Sequence, residues 1–315
     1  MMPIPDMPIV LHVGFSKTGT TTLQQHLFSR HSQVHYLGKP YADDALKTLV
    51  HRLIMQESLV YDPTPLKNYL DKEIQKNINP VKKVILLSEE MLLSYSKARD
   101  KGLVAQRLKE AFPSAKVLLT IRDQFELLKA AYLSRGRQLS YVPPKYSGLH
   151  VTFREWLALA FENIERSYLG HADYFKTIDY YARLFGKNRV CVLLLEELIH
   201  TPAEYAEKLS NFLGIAADET RELLAEKHAN RGISRFQLEF EALRSRWYPF
   251  SRSYLISKLL KIYLNLTKNA RRKQDAEVKI PQEWVDRIGE LYRTGNRLLI
   301  DEYGLPLEKY NYPIK

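Results

Sequence analysis

Residues 8–22 carry a pattern that leaves few folds open to this chain. The run 8–13 is largely apolar, Gly14 and Gly19 stand at a G-x-x-x-x-G spacing, and three threonines follow. A strand, a tight glycine turn and a helix in this order direct backbone N–H groups at an anion beside the helix N-terminus. The pattern predicts an α/β protein of the P-loop type that binds an anion here. A glycine turn without any ligand is the alternative.

The loop carries its lysine in an unusual position. In a nucleoside triphosphatase a lysine follows the second glycine and reaches the β- and γ-phosphates, and the next hydroxyl residue holds Mg²⁺. Here Thr20 takes that position, and the amine is Lys17 at the crest of the loop. An amine there suits a short anionic group better than a metal-bound triphosphate. A P-loop kinase that uses ATP and Mg²⁺ on a small molecule remains the alternative enzyme.

The run Lys17-Thr18-Gly19-Thr20-Thr21 resembles the phosphosulfate loop of the sulfotransferases that use 3′-phosphoadenosine-5′-phosphosulfate (PAPS), which reads roughly K-x-G-T-T/S before a helix. The resemblance implies a sulfuryl donor, a product adenosine 3′,5′-bisphosphate, and no metal. It also implies a donor-binding loop made of Ser16, Lys17, Thr18, Gly19, Thr20, Thr21 and Thr22.

A second apolar strand runs into Arg122 and Asp123, and Asp123 is placed as the N-cap of the helix that follows. The same family has a 3′-phosphate site of the form R-D/N-P, with a serine and a tyrosine further on. Arg122, Asp123 and Tyr132 match, whereas Gln124 and Ala130 replace the proline and the serine. The resemblance assigns the 3′-phosphate to Arg122. The missing serine hydroxyl at Ala130 costs about 1 kcal/mol, and an Arg122 that only pairs with Asp123 is the alternative.

A third apolar strand ends at Ser88 and is followed by Glu89 and Glu90. Ligands of an open α/β sheet lie beyond the carboxyl ends of its strands, so a carboxylate here faces the same crevice as the loop. Transfer to a hydroxyl needs a proton acceptor, and alternation along a strand predicts that one of the two carboxylates enters the cleft. The family often shows Ser-x-Glu at this strand end, which favours Glu90 as the base over Glu89. Two surface carboxylates without a catalytic role are the alternative.

The resemblance covers most of 9–232. Arg231 and Gly232 fall where related enzymes place a loop over the nucleotide, so they are predicted to bind the donor. Thr201, Pro202 and Glu204 predict a capping box with proline at the first helical position. The histidines at the strand ends, His12 among them, are expected to pack or cap locally.

Strands near 9–13, 34–37, 83–88, 115–121 and 189–195 alternate with helical stretches. This order predicts a three-layer fold with a mostly parallel central sheet flanked by helices. The 315 residues are 45% apolar and contain no Gly/Ser-rich or Pro-rich linker, which favours one domain over 1–315. We expect a core at 8–232 and a helical C-terminal extension at 233–315.

The net charge of +11 is concentrated in 244–273, where basic, aromatic and aliphatic residues mix without any acidic residue. The pattern is typical of a helix on an anionic membrane surface, of a surface that grips a polyanionic acceptor, or of a core-facing helix with a solvated basic face. No nucleic-acid reading module is recognisable, so no nucleic-acid partner is expected. A membrane-docked scaffold that binds a nucleotide without catalysis is the non-enzymatic alternative.

No signal peptide or membrane-spanning run is recognisable, which predicts a cytoplasmic protein, either free or peripheral at the inner membrane surface. Cys191 is the one cysteine and lies in an apolar run, so a buried apolar role is expected. The acceptor is expected to be a hydroxyl of a glycan, a glycolipid or a small molecule. Residues 36–80 and 134–150 are expected to line its side of the cleft.

Overall fold

The computed structural model describes residues 7–41, 43–76, 79–93, 100–134, 151–226 and 277–315. These residues form two compact units. The first unit takes its residues from Met1–Arg122, Tyr174–His228 and Leu298–Tyr310, and the second from Asp123–Asp173, Ala229–Arg297 and Asn311–Lys315. The single domain with a core at 8–232 and an extension at 233–315 stays a prediction, and residues 233–276 of that extension lie outside the described ranges.

A parallel five-stranded sheet forms the centre of the first unit. Its strands are β1 (Ile9–His12), β2 (Val34–Gly38), β3 (Val84–Ser88), β4 (Lys116–Ile121) and β5 (Val190–Leu194). They lie in the order β2-β3-β1-β4-β5, and every neighbouring pair is parallel. All five predicted strands are confirmed to within one residue at each end. The apolar run of β3 is typical of a strand covered on both faces, and every residue of β3 is buried.

Helices alternate with the strands along the chain. In chain order they are α1 (Thr20–Thr22), which continues as a π-helix over Leu23–Phe28, α2 (Asp44–Met55), α3 (Thr64–Lys76), α4 (Lys101–Ala111), α5 (Gln124–Ser134), α6 (Phe153–Glu162), α7 (Tyr168–His171), α8 (Tyr174–Phe185), α9 (Leu195–His200), α10 (Pro202–Leu213), α11 (Ala217–Ala225) and α12 (Gln282–Tyr303). The helices α5, α6 and α7 and most of α12 belong to the second unit. Within the ranges that the structure describes, no helix combines the length and the apolar content that crossing a bilayer requires.

One face of the sheet packs against the helix at 20–28 and against α10. Tyr205, Leu209 and Leu213 recur every four residues along α10, so they lie on one side of that helix. The buried side chains of this core are Val10, Leu23, Leu27, Phe28, Val34, Val84, Leu86, Leu118, Leu193, Tyr205, Leu209, Leu213 and Ile215. Each fully buried aliphatic side chain stabilises the fold by about 1.5–3 kcal/mol. The cluster therefore fixes the strands whose ends carry the polar residues described below.

The start of α10 differs from the prediction. Pro202 stands at the first helical position and Gly214 ends the helix with φ 74°, as expected, but Thr201 makes no side-chain cap. The Thr201 hydroxyl donates instead to the carbonyl of Glu197 at 3.3 Å. The capping box was wrong because α9 ends immediately before Thr201, and the last turn of α9 offers its hydroxyl an acceptor first.

The second unit contains an aromatic cluster around Tyr132 of α5. The Tyr132 ring lies 4.9 Å from the ring of Phe153 and 6.0 Å from that of Trp156, both on α6. Its hydroxyl donates to the carbonyl of Val151 at 2.7 Å. The tyrosine that the family pattern singles out therefore has a packing role in this chain.

A buried amide pair within the second unit joins the first residue of α5 to α12. Gln124 Nε2 donates to Asn296 Oδ1 at 2.8 Å, and Asn296 Nδ2 donates to Gln124 Oε1 at 3.2 Å. Asn296 also donates to the carbonyl of Pro313 at 2.9 Å. A proline at 124 could not make this pair, which gives the departure from the family pattern a physical reason.

Candidate active site

The polar residues singled out by the sequence gather at the carboxyl edge of the sheet. His12 ends β1 and lies beside Ser88 of β3 on one side and beside Leu118 of β4 on the other. The chain leaves β1 towards β2 and leaves β4 towards β5, which lie on opposite sides of β1. Connections that diverge from neighbouring parallel strands open a crevice at their carboxyl ends, where ligands of such sheets bind.

The start of the glycine loop continues beside β4. The Val13 N–H donates to the carbonyl of Leu118 at 3.1 Å, and the Phe15 N–H donates to that of Thr120 at 3.2 Å. The hydroxyl of Thr18 donates to the carbonyl of Phe15 at 2.6 Å and lies 2.6 Å from the hydroxyl oxygen of Thr120. These contacts fix the loop between the end of β1 and the first turn of the helix.

Both glycines of the loop have a positive φ and a close neighbour. Gly14 has φ 44°, and a Cβ at this position would lie 2.6 Å from Thr20 Cγ2. Gly19 has φ 84°, and a Cβ there would lie 2.8 Å from Leu195 Cδ1. The positive φ favours glycine at both positions, and at Gly14 the lack of space adds to this requirement, which accounts for the spacing seen in the sequence.

Lys17 is the one described non-glycine residue with a positive φ, at 69°. A left-handed conformation costs an L-residue about 1–2 kcal/mol. Such strain persists where the surrounding contacts fix it, and it concentrates at functional sites. Lys17 is exposed on the crest of the loop, the position that the sequence indicates for its amine.

The helix that follows the loop opens without a capping side chain, because its N-cap is Gly19. The first N–H groups of a helix have no acceptor within the helix, and here no acidic residue stands in the first turn. Thr20, Thr21 and Thr22 therefore present N–H groups at a positive helix end to which the helix itself contributes no carboxylate. This donor set fits a phosphate or sulfate group.

Glu89 and Glu90 follow β3 and differ in their surroundings. Glu89 is 4% exposed, and its carboxylate accepts from the Met91 N–H at 2.9 Å and from the Tyr41 hydroxyl at 2.5 Å. Burial, followed by the bond to Glu89, raises the pKa of Tyr41, so its hydroxyl stays a donor. Glu90 is partly exposed, and its Oε1 accepts a short hydrogen bond from the hydroxyl of Thr20. The structure thus brings Glu90 to the loop and ties Glu89 to the connection after β2.

His12 is buried between the loop and β3. Its Nδ1 lies 2.7 Å from the hydroxyl oxygen of Ser88, which also accepts from Gln24 Nε2 at 3.0 Å. Burial lowers the pKa of His12 to about 3, so the ring is neutral at pH 7. The expectation that His12 packs locally is confirmed.

Arg122 follows β4 directly and is partly exposed. Its carbonyl accepts from the hydroxyl of Tyr174 at 2.7 Å, which fixes the backbone where β4 ends. Asp123 caps α5, because its carboxylate accepts from the Phe125 N–H at 2.9 Å and its carbonyl accepts from the Leu127 N–H at 2.8 Å. The predicted N-cap is confirmed.

The sequence of residues 8–219 matches the profile described as the sulfotransferase family. The chain belongs to the sulfotransferase family. The family prediction, the α/β fold and the assignment as an enzyme are confirmed. A search of curated protein sequences gave no match.

Several solved structures of sulfotransferases are similar to this chain. A sulfotransferase from Alicyclobacillus acidocaldarius is 19% identical, with a TM-score of 0.48, over 79% of this chain and 96% of the other. The mouse sulfotransferase SULT7A1 complexed with PAP is 13% identical, with a TM-score of 0.40, over 70% of this chain and 68% of the other. The sulfotransferase STF1 from Mycobacterium tuberculosis is 14% identical, with a TM-score of 0.37, over 75% of this chain and 76% of the other.

The site residues predicted from the sulfotransferase pattern do not all lie in the same part of the structure. The loop residues, Glu89, Glu90 and Arg122 lie at the carboxyl edge of the sheet in the first unit. Ala130 lies on α5 in the second unit, and Arg231 and Gly232 lie outside the described residues.

Sequence reasoning missed two residues that hold these groups in place, Tyr41 and Thr120. Tyr41 reaches Glu89 across 48 residues, and Thr120 reaches Thr18 across 102. Neither stands in a motif. For Tyr41 the available signal was its place just after β2, at the carboxyl edge of the sheet.

Proposed function

We propose that this enzyme moves a sulfuryl group from PAPS to a hydroxyl of an acceptor, with Glu90 as the general base. The bond between sulfur and the 5′-phosphate oxygen breaks as the acceptor oxygen attacks in line. The acceptor proton passes to Glu90, and adenosine 3′,5′-bisphosphate leaves with the negative charge on its phosphate oxygen. Positioning and preorganised charge supply most of the acceleration in such a transfer.

The contact between Thr20 and Glu90 is the observation that carries this proposal. It joins Glu90, after the end of β3, to the first residue of the helix behind the loop. The proposed proton acceptor is therefore hydrogen-bonded to a residue of the proposed anion site. A general base must lie within hydrogen-bond reach of the proton that it removes. A reacting hydroxyl between the anion and Glu90 meets that condition.

The surroundings of the two carboxylates favour Glu90 over Glu89. One oxygen of the Glu89 carboxylate accepts from the Met91 N–H and the other from the Tyr41 hydroxyl, and the residue is 4% exposed. Because Glu89 is buried, an acceptor hydroxyl has little access to the lone pairs that remain on its carboxylate. Glu90 is partly exposed, and among the described residues its carboxylate accepts a hydrogen bond only from Thr20, so it is the better base.

Lys17 and the loop N–H groups are proposed to neutralise the leaving phosphate. The exposed amine stands on the crest, beyond the helix end that presents Thr20, Thr21 and Thr22. Lys17→Ala should lower turnover by about 10²-fold at saturating donor, by analogy with the loss of one oxyanion donor. Lys187→Ala, exposed before β5 at the opposite edge of the sheet, is the matched control. Near-full turnover of Lys17→Ala would contradict the role.

Arg122 is proposed to bind the 3′-phosphate. It stands at the end of β4, next to the strand that enters the loop, and guanidinium pairs with phosphate through strong charge-assisted bonds. Arg231 and Gly232 are proposed to cover the nucleotide, as the family pattern implies. Ala130 has no hydroxyl with which to bind the 3′-phosphate.

The acceptor and the location of the enzyme are proposed from the sequence. We propose a hydroxyl of a glycan, a glycolipid or a small molecule as the acceptor, in a cytoplasmic enzyme that contacts the inner membrane surface through 244–273. Flotation of the intact enzyme with vesicles that contain anionic lipid tests the contact. Replacing the basic residues of 244–273 with glutamine should abolish it, and undiminished flotation would contradict the proposal.

The donor is tested by ligand-induced stabilisation. At a hundredfold excess over Kd, adenosine 3′,5′-bisphosphate should stabilise the enzyme by about 2.7 kcal/mol. ATP with Mg²⁺ is the control. Stabilisation by ATP with Mg²⁺ but not by the bisphosphate would restore the kinase alternative. Thermal unfolding with each ligand gives the comparison.

The base is tested by turnover against a panel of sugars, glycolipids and phenols, followed as release of adenosine 3′,5′-bisphosphate. Glu90→Gln should lower turnover by about 10²–10⁴-fold, with unimpaired binding of the bisphosphate. Glu89→Gln is the matched control. It should lower the free energy of unfolding, and it should lower the turnover by much less than Glu90→Gln does. Normal turnover of Glu90→Gln would eliminate Glu90 as the base.

A further inference from the structure

Thr20 stands where two anions can compete for it. Thr20 is 2% exposed, and its hydroxyl donates to Glu90 Oε1. Thr20 is also the first residue of the helix behind Gly19, whose N-terminus presents donors to a phosphate or sulfate. The same hydroxyl therefore lies between the proposed base and the proposed donor site.

Packing restricts the orientation of the Thr20 side chain. A Cβ on Gly14 would lie only 2.6 Å from Thr20 Cγ2, so the methyl group is seated against the glycine backbone. Branched side chains have few allowed χ1 rotamers. With the methyl group in that place, the hydroxyl oxygen keeps its position, and only the O–H bond can rotate from one acceptor to another.

A hydroxyl has one proton to donate. A carboxylate and a phosphate oxygen are both acceptors without a proton of their own, so Thr20 can donate to one of them at a time. The bond to Glu90 therefore weakens the site for an anion, and an anion at the helix end removes the bond to Glu90.

We propose that Thr20 is a positioning residue that couples donor binding to the release of the base. Without donor, its hydroxyl holds the Glu90 carboxylate against the loop. With the 5′-phosphate of the donor at the helix end, the O–H turns to that phosphate, and Glu90 becomes able to accept the proton of the acceptor. The carboxylate is then used only when the donor is present. This inference rests on the proposed function.

A double-mutant cycle on ligand binding tests the coupling without any knowledge of the acceptor. Calorimetry would give the affinity for adenosine 3′,5′-bisphosphate of the wild type, Glu90→Ala, Thr20→Val and the double variant. Glu90→Ala should tighten binding about tenfold, because it frees a hydroxyl that was bonded to a charged group. In the Thr20→Val background the same change should alter affinity by less than about twofold, because no hydroxyl is left to free.

Thr20→Val keeps the methyl group against Gly14, and Thr20→Ala replaces it if the larger variant does not fold. Thr20→Ser keeps the hydroxyl and should preserve the tenfold effect of Glu90→Ala. Equal tightening by Glu90→Ala in both backgrounds would overturn the proposal, since repulsion between Glu90 and the ligand would then suffice. No tightening in the wild-type background would overturn it as well. If the wild type does not bind the bisphosphate at all, the proposed donor is wrong, which is a separate outcome.

Discussion

Gly14→Ala should destabilise the enzyme by about 2–5 kcal/mol. The alanine must adopt φ 44°, a left-handed conformation that costs about 1–2 kcal/mol. Its Cβ would also lie 2.6 Å from Thr20 Cγ2 and 3.4 Å from His12 Nε2. Both neighbours are buried, so neither can move into solvent, and inserting a methyl group into such packing costs about 1–3 kcal/mol.

Chemical denaturation gives the free energies that check this value. Gly214→Ala is the matched control, because Gly214 has φ 74° but no atom within 4 Å of its Cβ position, so only the backbone cost of about 1–2 kcal/mol applies. Gly14→Ala with Thr20→Ser should recover the packing part, since Thr20 Cγ2 is then absent. Equal destabilisation at Gly14 and Gly214, to within about 0.5 kcal/mol, would refute the reasoning.

Three further predictions concern binding, an ion pair and pH. Arg122→Ala should weaken binding of adenosine 3′,5′-bisphosphate, measured by calorimetry, by about 1.5–3 kcal/mol. Arg189 is exposed at the amino end of β5, so Arg189→Ala should leave the binding unchanged. Equal losses in the two variants would contradict the 3′-phosphate role of Arg122. Lys208→Met should lower the free energy of unfolding by about 1–3 kcal/mol, because Glu197, only 4% exposed, loses its ion-pair partner. The effect should be smaller in a Glu197→Gln background, and an equal effect in both backgrounds would show that the ion pair does not stabilise the fold. Burial lowers the pKa of His12 to about 3, so the unfolded chain takes up the proton first and stability present above pH 6.5 is lost as pH falls towards 3. Between pH 7 and pH 5 the wild type should lose about 2 kcal/mol more than His12→Asn in denaturant titrations, and parallel losses would show that His12 is not buried as described.

The sheet could be predicted from the sequence because its strands are short apolar runs with no competing helical period. All residues of Val84–Ser88 are buried, and the run ends at two carboxylates that cannot continue it. The division into two units could not be predicted, because it depends on distant pairs. Gln124 and Asn296 lie 172 residues apart, and nothing near Gln124 in the sequence indicates its partner.

The candidate site was predictable where backbone geometry dictates the residue type. Gly14 and Gly19 are favoured by their positive φ, and Gly14 also by its close neighbour Thr20, and that preference is visible as a spacing. The contact between Thr20 and Glu90 spans 70 residues and depends on the register of β1 against β3. The sequence therefore predicted both carboxylates, Glu89 and Glu90, but their different surroundings could be seen only in the fold. The predicted capping box at Thr201 was wrong because the local pattern contains no information on α9, which ends just before Thr201 and whose Glu197 carbonyl accepts from the Thr201 hydroxyl.

The hydrogen bond from Tyr41 to Glu89 has a consequence for attempts to change the acceptor. It ties the connection that follows β2 to the turn that presents Glu90, although the two segments are far apart in sequence. Grafting a foreign segment at Tyr41 to recruit another acceptor would also loosen the turn under the base. A redesign that transplants Tyr41 and Glu89 together would keep the proton acceptor in place while the neighbouring wall is exchanged.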